Sequence, residues 1–363
     1  MEERCQCTMC LREVNREDLF EFGDELLCPS CLEEETTICD RCGDRIWRDD
    51  AESDSGHTLC FSCYDRYYTR CCSCGRIIHE DDAYTYGDEY YCETCYHQKL
   101  SSINDYGYKP DTIFYGVGNR FLGVELEIDG GGEVDSKAAK ILDAANRVDD
   151  HMYCKHDGSL DDGLELVTHP MTLGYHENDM PWGDVLSKAK ELGYVSHQAG
   201  TCGLHVHVNR TAFGKTETER EEVIARILYF FEKHWEELLK FSRRTQRQLD
   251  RWAARYGLKE HPKDILTEAK GGQRYNRYTC VNLTNSDTIE FRMFRGTLKL
   301  NTLIATLQLV DRICDVAVSL SDDELKSMSW TTFVSGCTEP ELVQYLKERR
   351  LYINEPILSE AEV

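Results

Sequence analysis

The sequence lacks any run of 18 consecutive apolar residues, about the minimum length of a membrane-spanning helix. Its first residues, Met-Glu-Glu-Arg-Cys-Gln-Cys, contain no apolar segment of the kind found in secretory signal peptides. These two absences predict a soluble, cytoplasmic protein without a membrane partner. The 363 residues are enough for two or three domains and at least one sizeable hydrophobic core.

Positive charge is scarce. The 42 lysine and arginine residues are outnumbered by 66 aspartate and glutamate residues, which gives a formal net charge of −24. The deficit is marked in residues 1–100, with 24 acidic and 10 basic side chains. Such an acidic surface repels a phosphate backbone at long range, so nucleic acid is not an expected partner. A basic protein partner suits it better.

Cysteine, in contrast, is abundant. Fourteen of the 19 cysteines lie in the first 95 residues, and nothing in the sequence directs the chain to an oxidising compartment where disulfides form. Twelve of them form three repeats of Cys-x2-Cys-x17-Cys-x2-Cys with a period of 32 residues. The three sets are Cys7, Cys10, Cys28 and Cys31; Cys39, Cys42, Cys60 and Cys63; and Cys71, Cys74, Cys92 and Cys95.

Each repeat supplies the four thiolates of a closed, tetrahedral zinc site. We therefore expect three structural Zn²⁺ ions, each contributing roughly 10–16 kcal/mol to the folding of a unit that has little core of its own. A catalytic zinc is not expected here, because four thiolates leave no open position. Cys5 and Cys72 are left over, either as spare thiols or as substitutes for a neighbouring ligand.

The repeats resemble the zinc-binding half-modules of LIM domains, with cysteine as the only ligand type. Each repeat is predicted to contain a short hairpin, clearest at the Gly87-Asp88 turn. The resemblance implies a surface that recruits a protein partner or substrate; the alternative is three zinc sites that only stabilise the fold. We place the modules at about 5–35, 37–67 and 69–99, inside a domain of residues 1–100, and a linker at 101–118.

Four later segments alternate between apolar and polar residues, as half-buried strands do. The polar positions are Glu125, Glu127 and Asp129; Asp157 and Glu165; His205 and His207; and Glu290 and Arg292. Neighbouring carboxylates on one strand face repel one another unless a cation lies between them. Taken singly, each segment could be a solvated strand face. Together they predict a sheet with an apolar back and a polar front that suits hard cations bound to a phosphate.

The motifs G-V-E-L-E-I-D, K-H-D-G-S-L…G-L-E-L-V-T-H-P, C-G-L-H-V-H-V-N and R-Y…V-N-L…T-I-E-F-R-M-F-R-G-T-L occur in this order. Over about residues 103–310 they resemble the amidoligases, a family of carboxylate–amine ligases that shares the catalytic fold of glutamine synthetase. The resemblance implies an α+β catalytic domain over residues 119–363, with a glutamine synthetase-like antiparallel sheet and packed helices. It also implies ATP and two or more Mg²⁺ (or Mn²⁺) ions on the polar face. There a carboxylate becomes an acyl phosphate, and an amine then displaces the phosphate to give an amide.

The resemblance also assigns roles to residues. The catalytic set is Glu125, Glu127, Asp157, Glu165, His205, Glu290 and Arg292. The magnesium ligands are Glu125, Glu127, Glu165, His205 and Glu290. The nucleotide and phosphate contacts are His207, Arg292, Arg295, Lys155, Asn282 and Arg277. No motif identifies the carboxylate or the amine, so an amino acid, a peptide and a protein all stay open as substrates, and a homo-oligomer stays open as the assembly.

The remaining sequence is helical in pattern. Apolar residues recur at helical spacing in Thr218–Phe241 and again in Leu298–Val318, which predicts two core helices. A basic run follows the first of them, with Arg243, Arg244, Arg247 and Arg251. This run is either a solvated helix face or the source of an arginine that reaches an anionic substrate.

The sequence therefore predicts an ATP- and magnesium-dependent amide-forming ligase with three zinc modules. One alternative is a zinc scaffold for protein interactions whose ligase-like domain is inactive, although the polar strand positions still carry charged residues. The other is a zinc hydrolase that uses His205, His207 and a carboxylate. The excess of carboxylates and arginines favours magnesium and phosphate over the hydrolase.

Overall fold

A computed structural model describes residues 4–271 and 277–352, and the chain divides into two units, Met1–Ser101 and Ser102–Val363. Residues 353–363, at the end of the predicted catalytic domain, lie outside the described residues. In the described ranges, no helix combines the length and the apolar character that a membrane crossing needs.

The first unit repeats one small structure three times: a hairpin, a single 3₁₀ turn, a second hairpin and a short helix. The first repeat contains β1 (Arg4–Gln6), β2 (Glu13–Asn15), β3 (Phe20–Phe22), β4 (Glu25–Leu27) and α1 (Pro29–Glu35). The second contains β5 (Thr36–Ile38), β6 (Arg45–Trp47), β7 (Glu52–Ser53), β8 (Thr58–Leu59) and α2 (Phe61–Tyr67). The third contains β9 (Tyr68–Arg70), β10 (Ile77–His79), β11 (Tyr84–Tyr86), β12 (Glu89–Tyr91) and α3 (Glu93–Leu100).

The apolar core of each repeat is small and surrounds its cysteines. Leu27, Leu59 and Tyr91 directly precede the third cysteine of their repeats and are buried. Few other apolar side chains pack against them. Units with so small a core commonly need a metal or disulfides for stability, which agrees with the expected zinc sites.

The second unit is built on a seven-stranded sheet. Its strands are β13 (Ile103–Asn104), β14 (Leu122–Ile128), β15 (Met152–Lys155), β16 (Leu164–Thr168), β17 (Gly203–Asn209), β18 (Val281–Asn282) and β19 (Thr288–Arg295). Their order across the sheet is β13-β15-β16-β14-β17-β19-β18. Neighbouring strands run antiparallel except β13 and β15, which are parallel. The expectation of a purely antiparallel sheet is wrong at this edge, because β13 belongs to the predicted linker and no hairpin turn fixes its direction.

The helices of this unit enclose the apolar face of the sheet. They are α4 (Asp135–Ala145), α5 (Leu173–Asn178), α6 (Trp182–Glu191), α7 (Glu217–Lys233), α8 (Trp235–Ser242), α9 (Gln246–Trp252), α10 (Pro262–Gly271), α11 (Leu300–Ser319), α12 (Asp322–Ser327), α13 (Trp330–Ser335) and α14 (Pro340–Glu348). Phe230 of α7 and Leu303 of α11 share one core with Val124 of the sheet. The predicted helix over Thr218–Phe241 is divided at His234, whose backbone leaves the helical conformation.

A bulge in β19 changes which of its residues lie on the polar side of the sheet. Leu204 pairs with Phe294 and Val206 with Phe291, so three steps along β19 match two along β17. As a result Arg295 pairs with Gly203 and shares the polar face with it. Strict alternation from Glu290 would have placed Arg295 on the apolar side. The extra residue therefore redirects an arginine, as bulges beside functional sites commonly do.

Candidate functional site

The register of the sheet brings the polar residues of four strands together on one face, which we call the front face. Glu127 pairs with Glu165, Glu125 with His205, and His207 with Glu290. Residues paired across antiparallel strands share a face, with Cβ atoms about 5 Å apart. The carboxylate–histidine cluster formed in this way consists of Glu125, Glu127, Glu165, His205, His207 and Glu290.

Two groups within this cluster have the geometry of cation sites. Glu125, His205 and Glu290 form one, Glu127, Glu165 and His205 the other, and the candidate ligand atoms of each group lie within 4.8 Å of one another. His205 belongs to both groups, so it lies between the two candidate positions. Carboxylate oxygens with a single imidazole nitrogen suit Mg²⁺ or Mn²⁺.

The burial of the cluster points to the same conclusion. Glu127, Glu165 and Glu290 are 3–5% exposed, and His205 is 5% exposed. Carboxylates that are removed from water in this way require nearby positive charge, because each isolated buried charge costs several kcal/mol. The histidine, lysine and arginine side chains of the site supply only part of this positive charge, and a bound metal ion would supply the rest.

The two imidazoles lie between the carboxylates. His205 Nδ1 is 3.4 Å from Glu125 Oε2 and 3.6 Å from Glu290 Oε1, and its Nε2 is 3.8 Å from Glu127 Oε1. His207 Nε2 is 3.1 Å from Glu125 Oε1, while its Nδ1 is 3.2 Å from the Thr288 hydroxyl oxygen. Each histidine thus contacts more than one acid or polar group.

These contacts shift pKa values in opposite directions. Burial, followed by the charge of Glu125, raises the pKa of Glu165 to about 8, although Lys155 at 3.2 Å acts against this. Burial also acts to raise the pKa of Glu125, but the charge of His207 and hydrogen bonds to both imidazoles outweigh it and hold that pKa well below its usual range. Burial would lower the pKa of His207, but Glu125 outweighs it and raises this pKa to about 9.

Arg292 and Asn282 both contact Glu290. The Arg292 guanidinium donates a hydrogen bond to Glu290 Oε1, whereas its buried Nε has no hydrogen-bond partner in the part of the chain that the structure describes. Asn282 Nδ2 donates to Glu290 Oε2 at 2.7 Å, and its Oδ1 accepts from the Thr284 N–H at 2.9 Å. Asn282 therefore positions Glu290, and Arg292 keeps an N–H for a ligand.

Lys155 and Arg277 lie towards the β15 side of the cluster, next to the linker. Lys155 pairs with Glu165, and its Nζ is 5.4 Å from the centre of the Tyr106 ring. Arg277 is exposed and donates hydrogen bonds to the hydroxyls of Tyr106 and Tyr278. Tyr106, which the sequence placed in a linker, therefore contacts two candidate phosphate-binding cations.

Asp157 is not part of either cation group. Its Oδ1 accepts the Ser159 N–H at 2.7 Å, which makes it a turn residue, although its charge contributes to the raised pKa of Glu165. A role for Asp157 in catalysis stays a prediction, and the same holds for the other assigned residues.

Arg244 and Gly203 belong to this site but were not predicted as site residues. An ideal Cβ built on Gly203 would lie 2.7 Å from both Arg244 Nη2 and His205 Nε2, and the Gly203 N–H donates to Glu127 Oε2. The only signal for Arg244 in the sequence was its place in the basic run. The signal for Gly203 was the presence of a glycine inside a strand, which often marks a place where a ligand or another part of the chain comes close to the backbone.

The twelve repeat cysteines form three further clusters. The four sulfurs of each repeat lie within 4.8 Å of one another. The Cys10–Cys28 Sγ separation is 3.8 Å, and the equivalent Cys42–Cys60 and Cys74–Cys92 separations are 3.9 Å. A tetrahedron of sulfurs about 2.3 Å from zinc has edges of about 3.8 Å, so the donor set fits a structural zinc ion in every repeat.

The surroundings of the first cysteine in each repeat favour the thiolate form of its side chain. Burial acts to raise the pKa of Cys7, Cys39 and Cys71, but backbone N–H groups of the two knuckles outweigh it and lower each pKa to about 6. Neither Cys5 nor Cys72 belongs to any metal-binding group within residues 4–271 and 277–352.

The chain was also compared with known protein families. The model of the family described as "Putative amidoligase enzyme" matches residues 141–314. This segment contains β15 to β19, and hence Glu165, both histidines, Glu290 and Arg292, while β14 with Glu125 and Glu127 precedes it. None of the curated proteins compared with the chain matches it.

Proposed function

Because residues 141–314 match the amidoligase family, we propose that the protein is an ATP- and magnesium-dependent carboxylate–amine ligase with a glutamine synthetase-like catalytic fold. The observation that carries the proposal is the pair of oxygen-rich cation groups that share His205, beside Arg292, whose Nε has no hydrogen-bond partner among the described residues. Two adjacent cations and an arginine are what a transferring phosphoryl group requires.

In this proposal Glu125 and Glu290 would hold one magnesium ion and Glu127 and Glu165 the other, and His205 belongs to both groups. Bound magnesium would neutralise the phosphate charge of ATP. The Arg292 N–H groups then meet the charge that develops on the phosphoryl group as it moves from ATP to the substrate carboxylate. ADP leaves, the amine nitrogen attacks the acyl carbon, and phosphate departs as the amine loses a proton.

The remaining residues have supporting roles in the proposal. Asn282 positions Glu290, and His207 is held by Glu125 on the side that we assign to the nucleotide. Lys155, Arg277 and Arg295 are proposed to contact phosphate or substrate, and Asp157 adds negative charge near Glu165.

We assign residues 1–100 to recruitment of a basic protein partner or substrate, separately from chemistry in residues 119–363. Four thiolates carry more negative charge than one Zn²⁺ ion neutralises. Each occupied zinc site therefore adds negative charge to a module whose other side chains are already acidic. The zinc ions are structural in this proposal.

The zinc hydrolase alternative needs both imidazoles on one metal. Within the described residues, no candidate metal group contains His205 and His207 together, and each of the two front-face groups contains two carboxylates. This composition supports magnesium over zinc at the front face.

Binding of ATP with and without Mg²⁺ tests the proposal, measured by calorimetry on the full chain. We expect binding only with Mg²⁺, and Glu127→Gln should weaken it by about tenfold or more because a cation ligand is lost. Glu222→Gln is the matched control, since it makes the same change at an exposed residue of α7 that belongs to neither cation group. Equal binding of ATP in the presence and absence of Mg²⁺ would contradict the proposal.

A further inference from the structure

A positively charged cavity of about 670 Å³ lies beside the carboxylate–histidine cluster in this otherwise acidic chain. Its five cations come from three regions of the chain: Lys240 near the end of α8 with Arg243 and Arg244 directly after it, Arg295 at the end of β19, and Arg349 directly after α14. We call it the cationic pocket. Glu236 is the only carboxylate among the described residues that line it.

Among the described residues, no direct ion pair neutralises the charges of the cationic pocket, although Glu127 acts on Arg244 and Glu348 acts on Arg243 from farther away. In the described ranges, no carboxylate oxygen lies within 4.0 Å of a side-chain nitrogen of these five residues. Glu348, next to Arg349, pairs instead with Lys299 at 3.2 Å. Like charges that are held together without direct ion pairs repel one another, and a bound anion would reduce this repulsion.

The hydrogen bonds of the pocket keep its cations in place and leave donors unused. Arg349 donates two hydrogen bonds to the Lys240 carbonyl, at 3.0 and 2.7 Å. Arg243 donates to His197 Nε2 at 2.9 Å, which requires a neutral imidazole; burial and the neighbouring arginines lower the pKa of His197 accordingly. Arg295 Nε is buried without a partner among the described residues.

The inner end of the cationic pocket is next to the cluster. Arg244 Nη2 and His205 Nε2 share the space above Gly203, since a Cβ at that position would lie 2.7 Å from each of them. The Gly203 N–H also donates to Glu127. Arg244 therefore links the lining of the pocket to His205, which belongs to both cation groups.

We propose that the cationic pocket binds additional carboxylates of the acid substrate, so that the enzyme acts on an oligocarboxylate rather than on a simple monocarboxylic acid. This inference rests on the proposed function for the identity of the reacting carboxylate. The spread of the five cations over three regions of the chain suits several charges along one molecule, and guanidinium groups bind carboxylates through paired N–H donors.

Calorimetric titration of tetraglutamate into the full chain, without nucleotide, tests the inference. Tetraglutamate should bind, tetraglutamine should not, and the affinity should fall as the salt concentration rises. The double variant Lys240→Gln/Arg243→Gln should bind tetraglutamate about tenfold more weakly, because two charge-assisted contacts are lost. Both replaced side chains are exposed, so the fold should be kept, which circular dichroism verifies.

The matched control is Arg247→Gln/Arg251→Gln, which removes two cations of the same basic run that do not line the pocket. Its tetraglutamate affinity should equal that of the wild type. Equal affinity of the wild type and the Lys240/Arg243 variant would overturn the inference.

Inorganic tripolyphosphate and Mg·ATP distinguish the source of the anion. If the pocket variant loses tripolyphosphate or Mg·ATP binding and keeps tetraglutamate binding, the pocket is a phosphate site and the inference is wrong. Binding of tetraglutamate in a protein that consumes no ATP would contradict the proposed function and leave the pocket in place. If the protein instead turns over acids whose single carboxylate is their only charge, and turns them over equally fast in the pocket variant, the pocket inference is wrong and the proposed function stands.

Discussion

Gly203 is the residue that lets Arg244 and His205 lie side by side. A methyl group there would lie 2.7 Å from both side-chain nitrogens. We predict that Gly203→Ala displaces them, lowers Mg·ATP affinity by about tenfold and costs about 1–3 kcal/mol of stability, as overpacking does. Calorimetry and thermal unfolding measure the two effects.

Gly123→Ala is the control for this prediction. It adds the same methyl group on the same face, where the nearest atom is His207 Cβ at 3.6 Å, an ordinary contact. Nucleotide affinity should change little. If both alanine variants bind Mg·ATP like the wild type, Gly203 has no role in the arrangement of the site.

His176 should make stability depend on pH independently of the site. Its buried ring donates from Nε2 to the Leu122 carbonyl at 3.0 Å and accepts the Trp182 indole N–H at 3.2 Å. Burial lowers the pKa of His176 to about 4. The unfolded chain takes up this proton near pH 6.5, so the free energy of unfolding should fall between about pH 6.5 and 4, by about 3 kcal/mol for this group.

Denaturant titrations of the wild type and His176→Gln over this pH range isolate the effect, since the other acids titrate in both proteins. The variant should be the less stable protein at pH 7, and the difference should shrink as the pH falls. A difference that is constant from pH 7 to pH 4 would show that His176 does not resist protonation.

At the scale of elements, the three zinc repeats differ at one strained position. Leu11 has φ 59°, where the other repeats have Gly43 at 76° and Gly75 at 73°. A non-glycine residue pays about 1–2 kcal/mol for this conformation, and Leu11 is 68% exposed, so it gains little by packing. We predict that Leu11→Gly stabilises the first repeat by about 0.5–1 kcal/mol, seen as zinc release to a chelator at higher denaturant concentration.

Gly43→Ala is the reciprocal change. No atom lies within 4 Å of the added Cβ, so only the backbone conformation is affected. Zinc should be released from this variant at lower denaturant concentration. Unchanged release from both variants would mean that the knuckle conformation does not limit the stability of the repeats.

Alternation and spacing predicted the strands and the grouping of the twelve cysteines well, because both depend on local sequence. The polar positions of β14 and β17 follow from period two, and the metal-ligand geometry of the twelve cysteines follows from identical spacers. The register between strands does not follow from a single sequence, since it depends on distant pairing. The bulge that turns Arg295 to the front face was therefore not predicted.

Long-range packing explains what else the sequence did not indicate. Arg244 was one of four arginines in the basic run, and only the approach of the segment after α8 to Gly203 distinguishes it from the others. Tyr106 contacts Lys155 because the strand just before it, β13, pairs in parallel with β15. No local sequence pattern specifies the pairing of β13.

For the whole molecule, elemental analysis should find three zinc ions per chain. The sulfur separations of the three clusters are nearly identical, so all three should be occupied. Cys39→Ser should reduce the count to two, because three thiolates bind zinc less tightly than four. Three ions in the variant, or paired disulfides in the wild type, would contradict this assignment.

The central claim is that ATP cleavage drives amide formation. The most direct measurement incubates the full chain with Mg·ATP, acidic peptides and hydroxylamine, and quantifies ADP, phosphate and hydroxamate by mass spectrometry. We predict that ADP and hydroxamate appear in equal amounts, and that Arg292→Lys lowers this turnover far more than it lowers ATP affinity, because lysine keeps the charge without the paired donors. Cleavage of amide bonds without ATP, or no wild-type activity beyond that of Glu125→Ala/Glu127→Ala, would contradict the claim.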